Sequence, residues 1–169
     1  MKHQELFNRF PSAESQLVQY ANWLETQGFI RGLIGPREVD RIWDRHLVNC
    51  AVVADLIADG ASIIDIGSGA GLPGLVLAIV RPNSEVTLVE PLLRRSDFLT
   101  EVVSDIGLKN VTVVRARAEQ VRHLRADVVT ARAVAPLKKL LGWAMPLVGP
   151  AGELLAMKGS NAATEITQA

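Results

Sequence analysis

The chain has 169 residues, and its 18 Lys and Arg residues balance its 18 Asp and Glu residues, so no overall positive field attracts nucleic acid. Hydrophobic residues make up 49% of the chain, which excludes a disordered polypeptide and indicates one globular domain. The single cysteine, Cys50, excludes an internal disulfide and a cysteine-rich zinc site, and we expect this side chain to be buried.

The first third of the chain predicts helices. In residues 11–28 apolar side chains recur at helical spacing, with Ser12 as the expected N-cap and Gly28 as the expected end. Residues 29–35 predict a connector, and residues 36–58 predict a second helical segment.

From residue 61 onward, strands and helices alternate. Strands are predicted at residues 62–66, 85–89, 111–114, 127–131 and 152–157. Helices are predicted at residues 74–80, 94–106 and 137–147, and a last helix-like segment at 160–169. This order predicts an α/β fold with a doubly wound sheet over residues 59–169, preceded by a helical cap over residues 1–58. We expect the two to form one structural domain.

The expected location follows from the apolar runs. Residues 1–9 are polar and do not resemble a signal peptide, and no apolar run is long enough to cross a bilayer. We therefore expect a cytoplasmic protein without membrane contact.

A local basic excess lies in the second half of the chain. Residues 94–139 contain ten Lys and Arg residues against five Asp and Glu residues. Such an excess fits either RNA contact or a solvated helix face.

The strongest motif is a glycine-rich turn between the first predicted strand and the following helix. Residues 65–74 read Asp-Ile-Gly-Ser-Gly-Ala-Gly-Leu-Pro-Gly. Glycines at 67, 69 and 71 differ from the G-x-G-x-x-G spacing of dinucleotide-binding folds. The D-x-G-x-G-x-G form, with an acid in the strand, is the usual first motif of methyltransferases that use S-adenosylmethionine (SAM). Asp65, Gly67, Gly69 and Gly71 are therefore candidate cofactor-binding residues.

Two further strand ends fit a nucleoside ligand. Glu90 follows the second predicted strand, where an acid accepts hydrogen bonds from ribose hydroxyls in both SAM and NAD enzymes. Residues 115–119 follow the third strand, where methyltransferases line the adenine pocket, and Glu119 is a candidate partner for the adenine edge.

The pattern of absent motifs narrows the chemistry. Residues 130–133 read Thr-Ala-Arg-Ala instead of the Asn/Asp-Pro-Pro-Tyr/Phe of amino-directed adenine enzymes. No cysteine follows Cys50, which disfavours attack on pyrimidine C5. Methylation of guanine N7 needs neither that motif nor a cysteine nucleophile, because the N7 lone pair attacks the methyl donor directly once the two are aligned.

Two alternatives stay open. An NAD-dependent oxidoreductase has the same fold, although no Tyr-x-x-x-Lys pair is present and the one tyrosine, Tyr20, is predicted to lie outside the core. A non-catalytic RNA-binding or ribosome-binding module with a degenerate cofactor fold is the second alternative.

The sequence resembles the bacterial 16S rRNA (guanine-N7) methyltransferase family, RsmG or GidB. The glycine turn is followed by Ile-Val-Arg-Pro at 79–82, and Arg45-His46 matches an Arg/His pair ahead of the core. Residues 130–133 match the family's Ser-Arg-Ala segment, and residues 156–159 match its Leu-Lys-Gly ending. The resemblance runs from about residue 37 to residue 159.

The resemblance implies roles for matching residues. Gly67 and Leu72 match the SAM-binding positions of the first loop, and Ala118 with Glu119 matches the adenine-side pair. Arg132 matches an arginine of the cofactor site that would also lie near the target base, and is the candidate catalytic residue. Candidate RNA contacts are His46, Arg94, Arg95 and Lys158.

The resemblance also implies partners and a fuller sheet. It implies SAM as cofactor and 16S rRNA in the small ribosomal subunit as substrate. We also expect no metal and a monomer. An antiparallel strand pair usually follows the fifth strand in this architecture. No such pair is visible in the sequence, so we expect the fifth strand at an exposed edge.

Overall fold

The computed structural model describes residues 3–169, in which five parallel strands form one sheet. The spatial order is β3-β2-β1-β4-β5. The chain adds β2 and β3 on one side of β1 and then β4 and β5 on the other, so the switch point of the sheet lies between β1 and β4. This is the doubly wound α/β sheet predicted from the sequence. The strands are β1 (Ile63–Ile66), β2 (Val86–Val89), β3 (Val111–Val114), β4 (Ala126–Arg132) and β5 (Val148–Met157).

Strand β1 lies at the centre because its side chains suit burial on both faces. All four of its residues are buried, and Ile63 aligns with Val86 of β2 on one side and Val128 of β4 on the other. Continuous apolar runs are typical of strands covered on both faces. Strand β5 pairs with β4 and lies at the edge of the described sheet, as predicted.

Helices cover both faces of the sheet, and the predicted ones are confirmed within a few residues. Helix α5 ends just before Gly107, whose φ of +68° is the left-handed conformation that a glycine C-terminal stop requires. No helix within residues 3–169 is both long and apolar enough to cross a membrane. The helices are α1 (His3–Arg9), α2 (Glu14–Trp23), α3 (Val48–Val52), α4 (Gly74–Val80), α5 (Leu93–Asp105), α6 (Leu137–Ala144) and α7 (Ala162–Gln168).

The N-terminal helices are less regular than predicted. Ser12 is not an N-cap, because it lies inside a 3-10 turn and Ala13 precedes α2. Gly28 does not end the helix: it is the last residue of a π-helical segment, Leu24–Gly28, and the helix continues for two further residues. Residues 36–56 are helical as predicted, but they change between 3-10, π and α geometry.

Three polar contacts hold the N-terminal region against α5 and the loop after it. Trp23 Nε1 donates to Asp105 at 2.7 Å, and Gln16 Nε2 donates to the Ile106 carbonyl at 3.1 Å. The Arg31 guanidinium forms two parallel bonds with the Glu101 carboxylate, 3.0 and 2.6 Å long. The connector after α2 lies at the carboxyl end of the sheet, where Leu33 and Ile34 line the same cavity as Gly67.

We expect Gly74→Ala to destabilise the fold, because a Cβ there would lie 2.3 Å from Leu88 Cδ2 and 2.7 Å from Asp65 Oδ2. Overpacking of this kind costs about 2 kcal/mol. Gly142→Ala is the matched control. Gly142 lies in α6 with nothing within 4 Å of its added Cβ, so it gains up to about 1 kcal/mol of helix propensity. Urea denaturation measures both, and equal stability of the two variants would contradict the packing described.

Candidate cofactor-binding and active site

The candidate site lies where all five strands end. Because the strands are parallel, the residues that follow them meet at one edge, and the crevice of a doubly wound sheet opens between its two reversed halves. The glycine turn follows β1, Glu90 follows β2, and Arg132 ends β4.

The glycine turn adopts a backbone that other residues rarely reach. Gly67, Gly69 and Gly71 have φ values of +64°, +59° and +97°. A Cβ at Gly67 would lie 3.0 Å from a methyl of Val134, and a Cβ at Gly71 would lie 2.9 Å from Tyr20 Oη. The predicted glycines therefore allow both the positive φ of the turn and the close approach of Val134 and Tyr20 to it.

Two buried carboxylates fix this turn. Glu90 is 1% exposed; its Oε2 accepts the Gly69 N–H at 2.9 Å and its Oε1 accepts the Leu92 N–H at 2.9 Å. Asp65 Oδ2 accepts the Gly74 N–H, 3.1 Å away, at the start of α4. Each Glu90 oxygen keeps a second acceptor position for a ligand hydroxyl.

Tyr20 lies in α2, outside the α/β core, but its contact with that core was not predicted. Its side chain is fully buried, and its hydroxyl donates to the Ala70 carbonyl in the glycine turn at 2.7 Å. Burial raises the pKa of the phenol well above its usual value, so Tyr20 stays a neutral donor. Its position fifty residues before the turn gave no sequence signal for this contact.

The first cavity lies over the glycine turn. Its volume is about 470 Å³, and it has an apolar wall from the connector after α2, a polar wall from Glu90, and two arginines, Arg95 and Arg132. Three of the candidate cofactor-binding residues, Gly67, Gly69 and Leu72, line it. Gly71 and Asp65 do not line this cavity; they support the turn on the side away from it.

A second cavity of about 350 Å³ adjoins the first, because both are lined by Gly67, Pro91 and Val134. The adenine-side candidates Ala118 and Glu119 lie here, Ala118 buried and Glu119 exposed. Together the two cavities form an elongated groove along the switch point of the sheet.

Sequence reasoning missed Val134, Lys139 and Trp143, which line the second cavity. The Trp143 ring lies under the Lys139 ammonium, with Nζ 4.9 Å from the ring centroid. This pair has the i, i+4 spacing of helix neighbours, which was a usable signal. Val134 lines both cavities, and its close approach to Gly67 shows only in three dimensions.

Arg132 joins the groove to a third cavity of about 340 Å³, which is also lined by His46 and Lys158. The next residue, Ala133, has φ +52°, an uncommon conformation for a residue with a side chain. Backbone strain of this kind costs about 1–3 kcal/mol and concentrates at functional sites.

The four candidate RNA-contacting residues are placed unequally. His46 is buried beside Arg132, with its Nδ1 2.9 Å from Arg132 Nη1. Arg95 borders the first cavity, whereas Arg94 is exposed and lines none of these three cavities. The Lys158 ammonium contacts Glu165 at 2.8 Å and the Ala135 carbonyl, so its charge is already engaged.

Cys50 is buried as predicted, and burial raises the pKa of its thiol to about 12. A thiol held neutral in this way is a poor nucleophile. Cys50 therefore packs in the core and takes no chemical part in the site.

The comparisons with known proteins agree with this fold. A family model described as "rRNA small subunit methyltransferase G" matches residues 13–169. The chain belongs to this family. Methyltransferase G of Thermobifida fusca is 62% identical over 152 residues, and that of Nocardioides sp. is 60% identical over 152 residues.

The matches to these two relatives cover most of this chain but less than two thirds of each relative. Each alignment covers 89% of this chain, which spans 64% of the Thermobifida protein and 61% of the Nocardioides protein. Among solved structures, precorrin-6y C5,15-methyltransferase from Geobacter metallireducens has a TM-score of 0.60 at 17% identity, covering 80% of this chain and 71% of that one. Coclaurine N-methyltransferase has a TM-score of 0.57 at 23% identity, covering 65% and 33%. These structural likenesses concern the fold.

We expect Asp65→Asn to gain stability relative to the wild type as pH rises. Burial raises the pKa of Asp65 to about 7, so the folded state keeps this proton while the unfolded chain has lost it near 3.8. Between these values each rise in pH favours unfolding of the wild type but not of the neutral variant. The difference in free energy of unfolding should grow by on the order of 1 kcal/mol or more between about pH 5 and about pH 8.

Asp127→Asn is the control for this measurement. Hydrogen bonds from the Ser62 N–H and hydroxyl lower the pKa of Asp127, so this carboxyl is ionised in both states across the interval. Its difference from the wild type should not change with pH. An equally flat profile for Asp65→Asn would contradict the buried, protonated Asp65.

Proposed function

We propose that this protein transfers a methyl group from SAM to guanine N7 of 16S rRNA in the small ribosomal subunit. The observation that carries the proposal is the groove at the switch point, formed by the glycine turn, Glu90 and Arg132, in a chain of the methyltransferase G family. Coclaurine N-methyltransferase, which shares the fold, is described as bound to SAH, the product of SAM.

The groove fits a ligand with a nucleoside at one end and an amino acid at the other. The second cavity, with Ala118, Glu119 and the Trp143 ring, has the apolar wall and polar rim that an adenine base needs. Glu90 offers free acceptor positions to the ribose hydroxyls beside Pro91. The first cavity, with Arg95 and Arg132, suits the charged methionine end.

When bound, SAM supplies an electrophilic methyl on a sulfonium. The protein's own contribution is alignment, because guanine N7 attacks with a lone pair and loses no proton. Arg132 lies between the first cavity and the third, so it is placed to contact both the donor and the target base. The reaction therefore needs no general base, and the two carboxylic residues that line the groove, Glu90 and Glu119, are assigned to the donor.

The remaining expectations belong to the same proposal. A helical cap over residues 1–58 and a SAM-binding core over residues 59–169 act as one domain, since Tyr20 and His46 of the first contact Ala70 and Arg132 of the second. The proposed RNA contacts are Arg94, Arg95, His46 and Lys158. The protein acts in the cytoplasm as a monomer.

The proposed activity is tested with small ribosomal subunits from cells that lack this methyltransferase. The chain is incubated with them and radiolabelled SAM, and the rRNA is then cleaved with borohydride and aniline, which breaks strands at 7-methylguanosine. The expected result is incorporated label and one new cleavage site.

Label without cleavage would mean that another atom is methylated and would overturn the N7 assignment. Absence of label from a folded chain that binds SAM would favour the non-catalytic binding module instead. Subunits from wild-type cells, whose target is already methylated, serve as the matched control and should take up no label.

A further inference from the structure

The side chain of Arg132 is held by a histidine from a different part of the chain. His46 lies in the π-helical segment Ile42–Leu47, and its Nδ1 is 2.9 Å from Arg132 Nη1. His46 is 8% exposed, so little water competes for this contact. The contact lies where the first and third cavities meet at Arg132.

The chemistry of arginine fixes the proton on the histidine. A guanidinium donates hydrogen bonds and accepts none, so Nδ1 of His46 must be the acceptor and carry no proton. The neutral imidazole then has its proton on Nε2. Glu38 Oε2 lies 2.9 Å from Nε2, off the direction of a well-formed hydrogen bond, and stabilises this tautomer by charge.

We propose that His46, supported by Glu38, is a positioning residue that holds Arg132 at the junction of the two cavities only while its imidazole is neutral. The proposal rests on the proposed function and adds a pH-dependent support to the same site. A proton on Nδ1 would place an N–H against the guanidinium, and Arg132 would lose its acceptor.

The charged groups around His46 favour the neutral form. Burial lowers the pKa of His46, and the cation of Arg132 lowers it further. Glu38 acts in the opposite direction, but it also pairs with Arg45 at 2.9 Å, whose cation faces His46. Lys158 lines the same cavity and is paired with Glu165. The imidazole therefore stays neutral at neutral pH, and it becomes charged only as the pH falls below its lowered pKa.

The first test measures methyl transfer against pH for the wild type and two variants. The wild-type rate should fall in acid, as His46 protonates. His46→Asn keeps an acceptor oxygen near the Nδ1 position but cannot titrate, so its rate should fall less than that of His46→Ala and should lose the acid fall. His46→Ala should lower kcat about tenfold or more at neutral pH, because Arg132 loses its support. His123→Asn, at an exposed histidine, is the matched control and should keep the wild-type profile.

The second test reads the imidazole directly and needs no activity. In ¹⁵N-histidine NMR spectra, His46 should show an unprotonated Nδ1 and a protonated Nε2 at neutral pH. Arg132→Gln should raise its titration midpoint, because the neighbouring cation is removed. His46→Asn identifies the signal.

The outcomes separate the two proposals. An Nδ1–H tautomer, a charged His46 at neutral pH, or a wild-type acid fall in His46→Asn would overturn the positioning role. No transfer by the wild type at any pH, with the expected NMR spectrum, would overturn the proposed function and leave the histidine–arginine contact intact.

Discussion

The turn between β1 and α4 depends on hydrogen bonds from its backbone to two buried carboxylates. Three glycines with positive φ give a loop that has little conformational preference of its own. Glu90 and Asp65 each accept an N–H from this segment, and Tyr20 donates to one of its carbonyls. The neighbouring strand β2 and the N-terminal helices therefore determine the shape of the cavity floor.

The N-terminal helices form part of the site as well as a cover for the sheet. They supply Tyr20 beneath the glycine turn, Leu33 and Ile34 in the wall of the first cavity, and His46 beside Arg132. The Arg31–Glu101 pair and the Trp23–Asp105 hydrogen bond hold these helices against α5. Displacement of this region would disturb both the loop and the arginine, although the carboxyl edge of the sheet itself would remain.

The sequence predicted the sheet well because buried parallel strands have a strong local pattern, as in β1 and β2. It led us to expect Glu90 and Arg132 at one edge of the sheet, where they line the same cavity, because a parallel sheet brings strand ends together. It did not predict the Tyr20–Ala70 contact or the His46–Arg132 contact, which join residues 50 and 86 positions apart. The π-helical segments were missed for a related reason: tertiary packing, and not local propensity, sets their geometry.

The most direct test of the groove as a donor site is a calorimetric titration of this chain with SAM and, separately, with NAD. Glu90 should accept the ribose hydroxyls, so the wild type should bind one SAM per chain, and Glu90→Gln should bind it about tenfold more weakly. Glu119→Gln, at the exposed end of the second cavity, is the matched comparison and should lose less of its affinity for SAM. Binding of NAD in place of SAM, or unchanged SAM affinity in Glu90→Gln, would contradict the account.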